Sequence, residues 1–296
     1  MVVFHDLNLP YDANQKQLKR SISCAEKLGY DVVAVGHHCT VIDKTSPIPA
    51  PPPVDLDSDQ TDRNQPVKQL SRVTVVLGDG AQTHRLRADN VQSYDILAVQ
   101  PTNNKMFHMA CTALEIDIIS VNMAEKVPFY FKTHPVKCAL ERGVYFEIPY
   151  APAIRDSTIR RHVISNALNL VRACRGRNII ISSFANKPLE LRGPHDVVNL
   201  GLLFGMNENQ AKDAVQRNCR AVIMHAATRK SIRSSMDIQE ISQLPEQDAW
   251  KVKSSQEASG FEEMSTHQDT ASKAKKRKRQ RDFNEDRKGG EKMKKR

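Results

Sequence analysis

The sequence predicts an α/β fold, a TIM-like barrel that ends in a disordered basic tail, and three observations carry that prediction. Short β-branched runs recur as far as residue 191, stretches of helical period separate several of them, and positive charge gathers at the far end of the chain. Strand-then-helix repeats imply a parallel sheet covered by helices. Seven apolar runs, or eight if LEL at 189–191 is included, favour a barrel over the competing open, doubly wound sheet.

The chain opens MVVFHDLNLP, a β-branched run leading into His5 and Asp6. ANQKQLKRSISCAEKL at 13–28 sets Leu18, Ile22, Ala25 and Leu28 on one helical stripe, keeps Lys16, Lys19 and Arg20 off it, and meets a stop at Gly29. DVVAVGHH then reads as a buried strand. Residues 44–67 hold too much proline and acid, and too little apolar surface, to pack; they read as a flexible loop. VTVVL (73–77), ILAVQ (96–100), IDIIS (116–120), VYFEI (144–148) and NIIIS (178–182) supply the further strands, with amphipathic helices at 103–114 and 156–174.

In the second of those helices Ile159, Val163, Ala167, Leu170 and Cys174 make one face, and Arg161, Ser165 and Arg172 point to solvent. Asp156 or Ser157 caps its start, and Gly176 suits the left-handed position after its end. In a barrel this helix begins near the C-terminal mouth, placing Arg155 and Arg160 there and Arg175 and Arg177 at the opposite rim. Helical patterns from 194 to about 230 close the last side, giving a barrel domain over 1–235 and a tail over 236–296.

A chain of 296 residues, 40% of them apolar, can bury one large core. No run reaches the roughly 18 apolar residues of a spanning helix and the start lacks a signal-peptide pattern, so neither a membrane nor secretion is expected. The six cysteines are scattered without a C-x-x-C pair, which argues against a zinc knuckle or a disulfide framework. Of the formal charge of +10, residues 271–296 carry nine, with 13 Lys or Arg against 4 Asp or Glu; the body is nearly neutral.

Two constellations bear on chemistry. His5, Asp6, His37, His38, Asp79, Glu147 and the Ser182–Ser183 pair are expected near one barrel mouth, and imidazole beside carboxylate is what a hydrolytic metal site uses. Yet no pair has a ligand spacing such as H-E-x-x-H, neither G-x-S-x-G nor a phosphate-binding P-loop occurs, and polar strand ends are ordinary loop chemistry. In LRGPHDVV, Gly193–Pro194 starts a helix with free N–H groups, which is first of all an ordinary helix start.

The second constellation is electrostatic. Residues 151–192 hold eight Lys or Arg against two acids, and seven of the eight are arginine, whose planar fork suits phosphate. Arg155, Arg160, Arg161, Arg175, Arg177, Lys187 and Arg192 are the expected contacts to an RNA backbone, set against a merely solvated helix face. In the tail, Lys275, Lys276, Arg277, Lys278, Arg279 and Arg281 form a run of the kind read by nuclear import receptors.

The opening FHDLNLP with LGYDVVAVGHH, the stretch VPFYFKTHPVKCALERGVYFEIPYAPAIRDSTIRRHVISNALNL, and NIIISSFANKPLELRGPHDVVNLGLLFGM strongly resemble the thirty-kilodalton protein subunit family of eukaryotic and archaeal ribonuclease P, also found in ribonuclease MRP. The likeness runs from residue 1 to about 230. That family is similar to the polymerase and histidinol phosphatase (PHP) hydrolases, whose first strand ends D-L-H-x-H. Here Asp6-Leu7-Asn8-Leu9-Pro10 puts Asn8 and Pro10 where imidazoles would stand. Ser183-Phe184-Ala185-Asn186 replaces a motif similar to S-D-A-H, while Glu147 still matches a ligand carboxylate.

The resemblance implies a PHP-like barrel with a dismantled metal site and no cofactor of its own, Mg²⁺ being expected on the RNA subunit. It implies a non-catalytic subunit that binds the ribonuclease P or MRP RNA, a small α/β protein subunit and other proteins of the particle. Precursor tRNA would be met indirectly for 5′ maturation, with precursor ribosomal RNA as the MRP substrate, in the nucleus and nucleolus. The competing expectation is a free-standing metal-dependent phosphoesterase using His5, Asp6, His37, His38 and Glu147.

Overall fold

A computed structural model describes residues 3–12, 14–39 and 67–231, which belong to one compact unit. Its elements run β1 (His5–Pro10), α1 (Gln15–Leu28), β2 (Val32–Cys39), β3 (Lys68–Leu77), α2 (Asp89–Gln92), β4 (Ile96–Pro101), α3 (Asn104–Thr112), β5 (Ile118–Ser120) and α4 (Thr133–Glu141). They continue with β6 (Tyr145–Pro149), α5 (Ala151–Arg155), α6 (Ser157–Cys174), β7 (Ile179–Ser182), α7 (Pro194–Leu203), α8 (Glu208–Val215) and α9 (Arg217–Ser231). The strands form one sheet in sequence order, every neighbouring pair parallel. No ladder joins β7 to β1 among the described residues; instead the Phe184 N–H donates to the Asn8 carbonyl at 2.8 Å and the Ser183 N–H to Asp6 at 3.0 Å. The result is a nearly closed, seven-stranded TIM-like barrel.

Alternation along each strand separates two cores. Val33, Val35, Val73, Val75, Leu97, Val99, Ile119, Phe146, Ile148, Ile179 and Ile181 belong to the large core shared with the helices. Leu7, Ala34, Ile96, Ala98, Ile118 and Ile180 form a smaller one with Cys219 and Val222 of α9, which plugs the base of the barrel. Strands buried on both faces need apolar residues at nearly every position, which is why they were legible as continuous runs. The plug is pinned by Asp117: His225 Nδ1 lies 2.8 Å from it and Arg229 Nε donates to it at 3.1 Å.

Helix ends follow their caps. Asn14 accepts from the Lys16 N–H and Gly29, at φ 110°, ends α1. Asp156 accepts from the Thr158 and Ile159 N–H groups to start α6. At the other end of α6 the left-handed position falls first on Arg175 (φ 54°), with Gly176 (φ 70°) following, rather than on Gly176 alone. Two further expectations are corrected. LEL at 189–191 is no eighth strand: Pro188–Glu190 is a 3-10 turn with Leu189 exposed, because it crosses the barrel surface after β7 instead of entering the sheet. β3 begins at Lys68, five residues before its apolar run. The acidic loop, Val67 excepted, and the tail with its basic run at 275–281 lie outside the described residues.

Candidate nucleic-acid interface and the barrel mouth

Inside the barrel, just below the mouth, stands a charge that local patterning does not reveal. Arg72 of β3 is fully buried and forks onto Glu147 of β6, with Nη1 and Nη2 donating to its two carboxylate oxygens at 2.5 and 2.6 Å. Nη1 also donates to the Leu7 carbonyl at 2.7 Å and Nε to Thr74 at 3.1 Å, while the Ser182 hydroxyl donates to Glu147 at 2.7 Å. Burial alone would raise the Glu147 pKa; the Arg72 charge and the hydrogen bonds from Arg72, Ser120 and Ser182 outweigh it and hold the carboxyl ionised. Gly36 leaves the room this needs, since a Cβ there would stand 3.3 Å from Asn8 and 3.7 Å from Arg72.

A divalent ion does not fit this donor set. Glu147, the carboxylate that the sequence resemblance matched to a metal ligand, is saturated by a guanidinium, whose permanent positive charge occupies the place where a cation would be attracted. Among the described residues no three His, Cys, Asp or Glu side chains converge in a metal-binding group.

The residues expected at one mouth are in fact scattered. β1 starts at His5, so His5 lies at the base of the barrel, not at its mouth. Desolvation, with repulsion from Arg220, lowers its pKa to about 4 against weaker opposing contacts. Asp6 is buried on Ser183, and desolvation raises its pKa. His37 packs against Tyr11 and Tyr94 in the layer between strands and helices, where desolvation lowers its pKa. Asp79 is exposed and accepts from the Gly80 N–H. His38 alone of the imidazoles reaches the mouth, 5.7 Å from the Phe184 ring; desolvation first and the Arg72 charge second keep its pKa below the ordinary value.

The expected RNA-binding residues, Arg192 apart, divide between the barrel's two ends. Around the mouth, Arg155 donates to Glu190 and to the Phe184 carbonyl and Arg160 to the Ala153 carbonyl, while Arg192, donating to the carbonyls of Leu189 and Leu191, lies on the flank, where its own carbonyl accepts from the Tyr30 hydroxyl. These three serve the fold as well as the surface; Arg161 and Lys187 are exposed. At the base, one α6 length away or roughly 27 Å at 1.5 Å per residue, stand the exposed Arg175 and Arg177. The structure adds Arg217 and Arg220, both exposed, from α9. Gln210 donates to the Arg175 carbonyl and Asn218 to the Ile179 carbonyl, which fixes α8 and α9 beside the end of α6. The expected split of Arg155 and Arg160 from Arg175 and Arg177 is thus seen in the fold, while Arg217 and Arg220 are two arginines that sequence reasoning missed.

Comparison with known proteins agrees with this architecture. The family described as RNase P subunit p30 matches residues 3–231. Ribonuclease P protein subunit p30 of Mus musculus is 48% identical, over 78% of this chain and 88% of its own. Probable ribonuclease P protein subunit 3 of Schizosaccharomyces pombe is 32% identical, over 79% of this chain and 98% of its own. Ribonuclease P/MRP protein subunit RPP1 of Saccharomyces cerevisiae is 27% identical over 76% and 80%. Among solved structures, a chain of an archaeal ribonuclease P complex with mature tRNA matches with a TM-score of 0.56 and 13% identity, covering 81% of this chain and all of that one; this likeness bears on the fold.

Proposed function

The chain belongs to the RNase P subunit p30 family, and from that premise we propose that it is a non-catalytic protein subunit of the ribonuclease P ribonucleoprotein, and of ribonuclease MRP. In this reading it binds the RNA subunit through its arginines and serves 5′ maturation of precursor tRNA and processing of precursor ribosomal RNA. The observation that carries the non-catalytic half is the buried Arg72–Glu147 pair: a barrel whose last ligand carboxylate is neutralised by its own guanidinium lacks a Lewis-acid site of its own. Mg²⁺ then belongs to the RNA.

Exposed arginines at both ends of α6 support backbone contact, since phosphate recognition uses permanent charges free to exchange counterions. Leu202 and Leu203, 45% and 60% exposed beside a groove lined by Ile154, Ile164 and Phe204, support an interface with a small α/β protein subunit of the particle. The basic run Lys275–Arg281 supports nuclear and nucleolar residence.

Cleavage of precursor tRNA by the purified chain with Mg²⁺ or Mn²⁺, beside the same assay on material captured from nuclear extract through this chain, tests the proposal. The expected result is an inert chain and captured material that cuts at the 5′ junction only while its RNA is intact. Chelator-sensitive cutting by the lone chain would overturn it in favour of the phosphoesterase.

A further inference from the structure

Above the Arg72–Glu147 pair the mouth opens into a cavity of about 280 Å³ lined by Asn8, His38, Gln100, Asn122, Met123 and Phe184, among others. Pockets for drug-sized ligands begin at about 300 Å³, so this one suits a single heterocycle. Asn8 is only 3% exposed, yet its carboxamide makes no hydrogen bond to any described residue, and the same holds for Gln100 beside it. Both carboxamides line the open cavity with their donors and acceptors not taken up by the described residues, and are therefore available to whatever enters it.

The chemistry of the wall narrows the ligand class. The cations nearest the cavity are already engaged: Arg72 by Glu147 and Arg155 by Glu190 and the Phe184 carbonyl. Desolvation first and the Arg72 charge second push the His38 pKa below its ordinary value, which favours the uncharged ring. A phosphate or carboxylate therefore finds no unpaired positive charge inside. What the wall offers is carboxamides, which carry donors and acceptors together, with the Phe184 and His38 rings and the Met123 thioether beside them. That combination suits a flat, neutral heterocycle with mixed donor and acceptor edges. Phe184 is also held at φ 51°, a left-handed conformation that its side chain disfavours, by donation of its N–H to the Asn8 carbonyl. Backbone strain of this kind concentrates where a ring must be presented to a ligand.

We propose that the mouth receives one unstacked base of a bound RNA strand, its edge read by the Asn8 and Gln100 carboxamides and its face set against the Phe184 and His38 rings. The inference rests on the RNA-binding reading above and deepens it: single-stranded bases are recognised by stacking on aromatic side chains and by hydrogen bonds to their edges. Exposed Arg161 and Lys187 at the same end supply charge for flanking phosphates.

The test uses the full chain with short adenylate and uridylate oligomers, with free AMP and UMP as separate arms, ultraviolet crosslinking and peptide mass spectrometry, beside salt titrations of affinity for ribonuclease P RNA. The expected result is crosslinking at Phe184, His38 or Met123 by oligomers. Gln100→Leu should weaken oligomer binding roughly tenfold, with the salt slope for the full RNA unchanged. Ala124→Trp, which fills the cavity from a partly exposed position, should remove the same crosslinks, so a misfolded Gln100 variant does not protect the proposal. Crosslinks confined to the arginine surfaces, with both variants binding oligomers like the wild type, would overturn the base pocket while leaving RNA binding standing. Crosslinking by free nucleotides but not by oligomers would overturn the RNA strand as the source. No binding of any RNA would overturn both readings together.

Discussion

At the mouth of the barrel, Arg72 and Glu147 cancel inside the core and the cavity above them is walled by amides and rings; at the base, Arg175, Arg177, Arg217 and Arg220 stand in solvent around a helical plug. In barrel enzymes the mouth is the charged, reactive end and the base is structural. Here the mouth has become electrically quiet while charge lies on both rims. The contrast teaches that a fully buried guanidinium can neutralise the carboxylate inside a barrel, while the remaining charge gathers on the rims where solvent screens it.

The contrast is broken most severely at the pair itself. Arg72→Met leaves Glu147 buried without its partner and should cost about 3–5 kcal/mol in urea unfolding. Arg72→Met with Glu147→Leu should recover most of that loss, since two apolar groups need no pairing; a double variant as unstable as the single one would mean that the pair is required for the barrel to form.

At the base, His5 makes the opposite test, of a group buried neutral. Its folded pKa of about 4 lies below the 6.5 expected when unfolded, so between those values the unfolded chain holds the extra proton. Stability should fall as pH drops from 6.5 toward 4, by on the order of 3 kcal/mol in total. His5→Gln should flatten that limb, and an unchanged pH profile would place the acid sensitivity elsewhere.

The arginines sharpen the comparison through RNA rather than folding. Changing Arg175, Arg177 and Arg217 together to Glu should flatten the salt dependence of RNA affinity by roughly one unit of slope per lost phosphate contact. Arg161→Glu reports on the mouth rim in the same way, so unequal losses would identify the dominant face. The smallest effect is expected at Asn103, whose side chain accepts from the Met106 N–H to cap α3 at the mouth end. Asn103→Ala should lower stability by about 1 kcal/mol and leave RNA binding unaltered.

By itself the sequence determined the parallel barrel and the caps of α1 and α6. Both are written locally: strands buried on both faces must be apolar throughout, and helix ends need a side-chain acceptor beside free N–H groups or a glycine free to turn left-handed. Only the tertiary structure decided where the charges act. Arg72 stands just before the apolar run at 73–77, and nothing near it in the chain reveals that Glu147, 75 positions away, and the Leu7 carbonyl will enclose its guanidinium. His5 and His38 looked alike at strand ends yet lie at opposite ends of the barrel, since β1 begins at His5 whereas β2 has nearly finished at His38. The split of the 151–192 arginines between the two ends of an 18-residue helix was legible in the sequence, but the arrival of Arg217 and Arg220 beside Arg175 and Arg177 was not, because it depends on how α9 packs across the base. Burial, pairing and distance belong to contacts between remote segments, and those exist only once the chain has closed on itself.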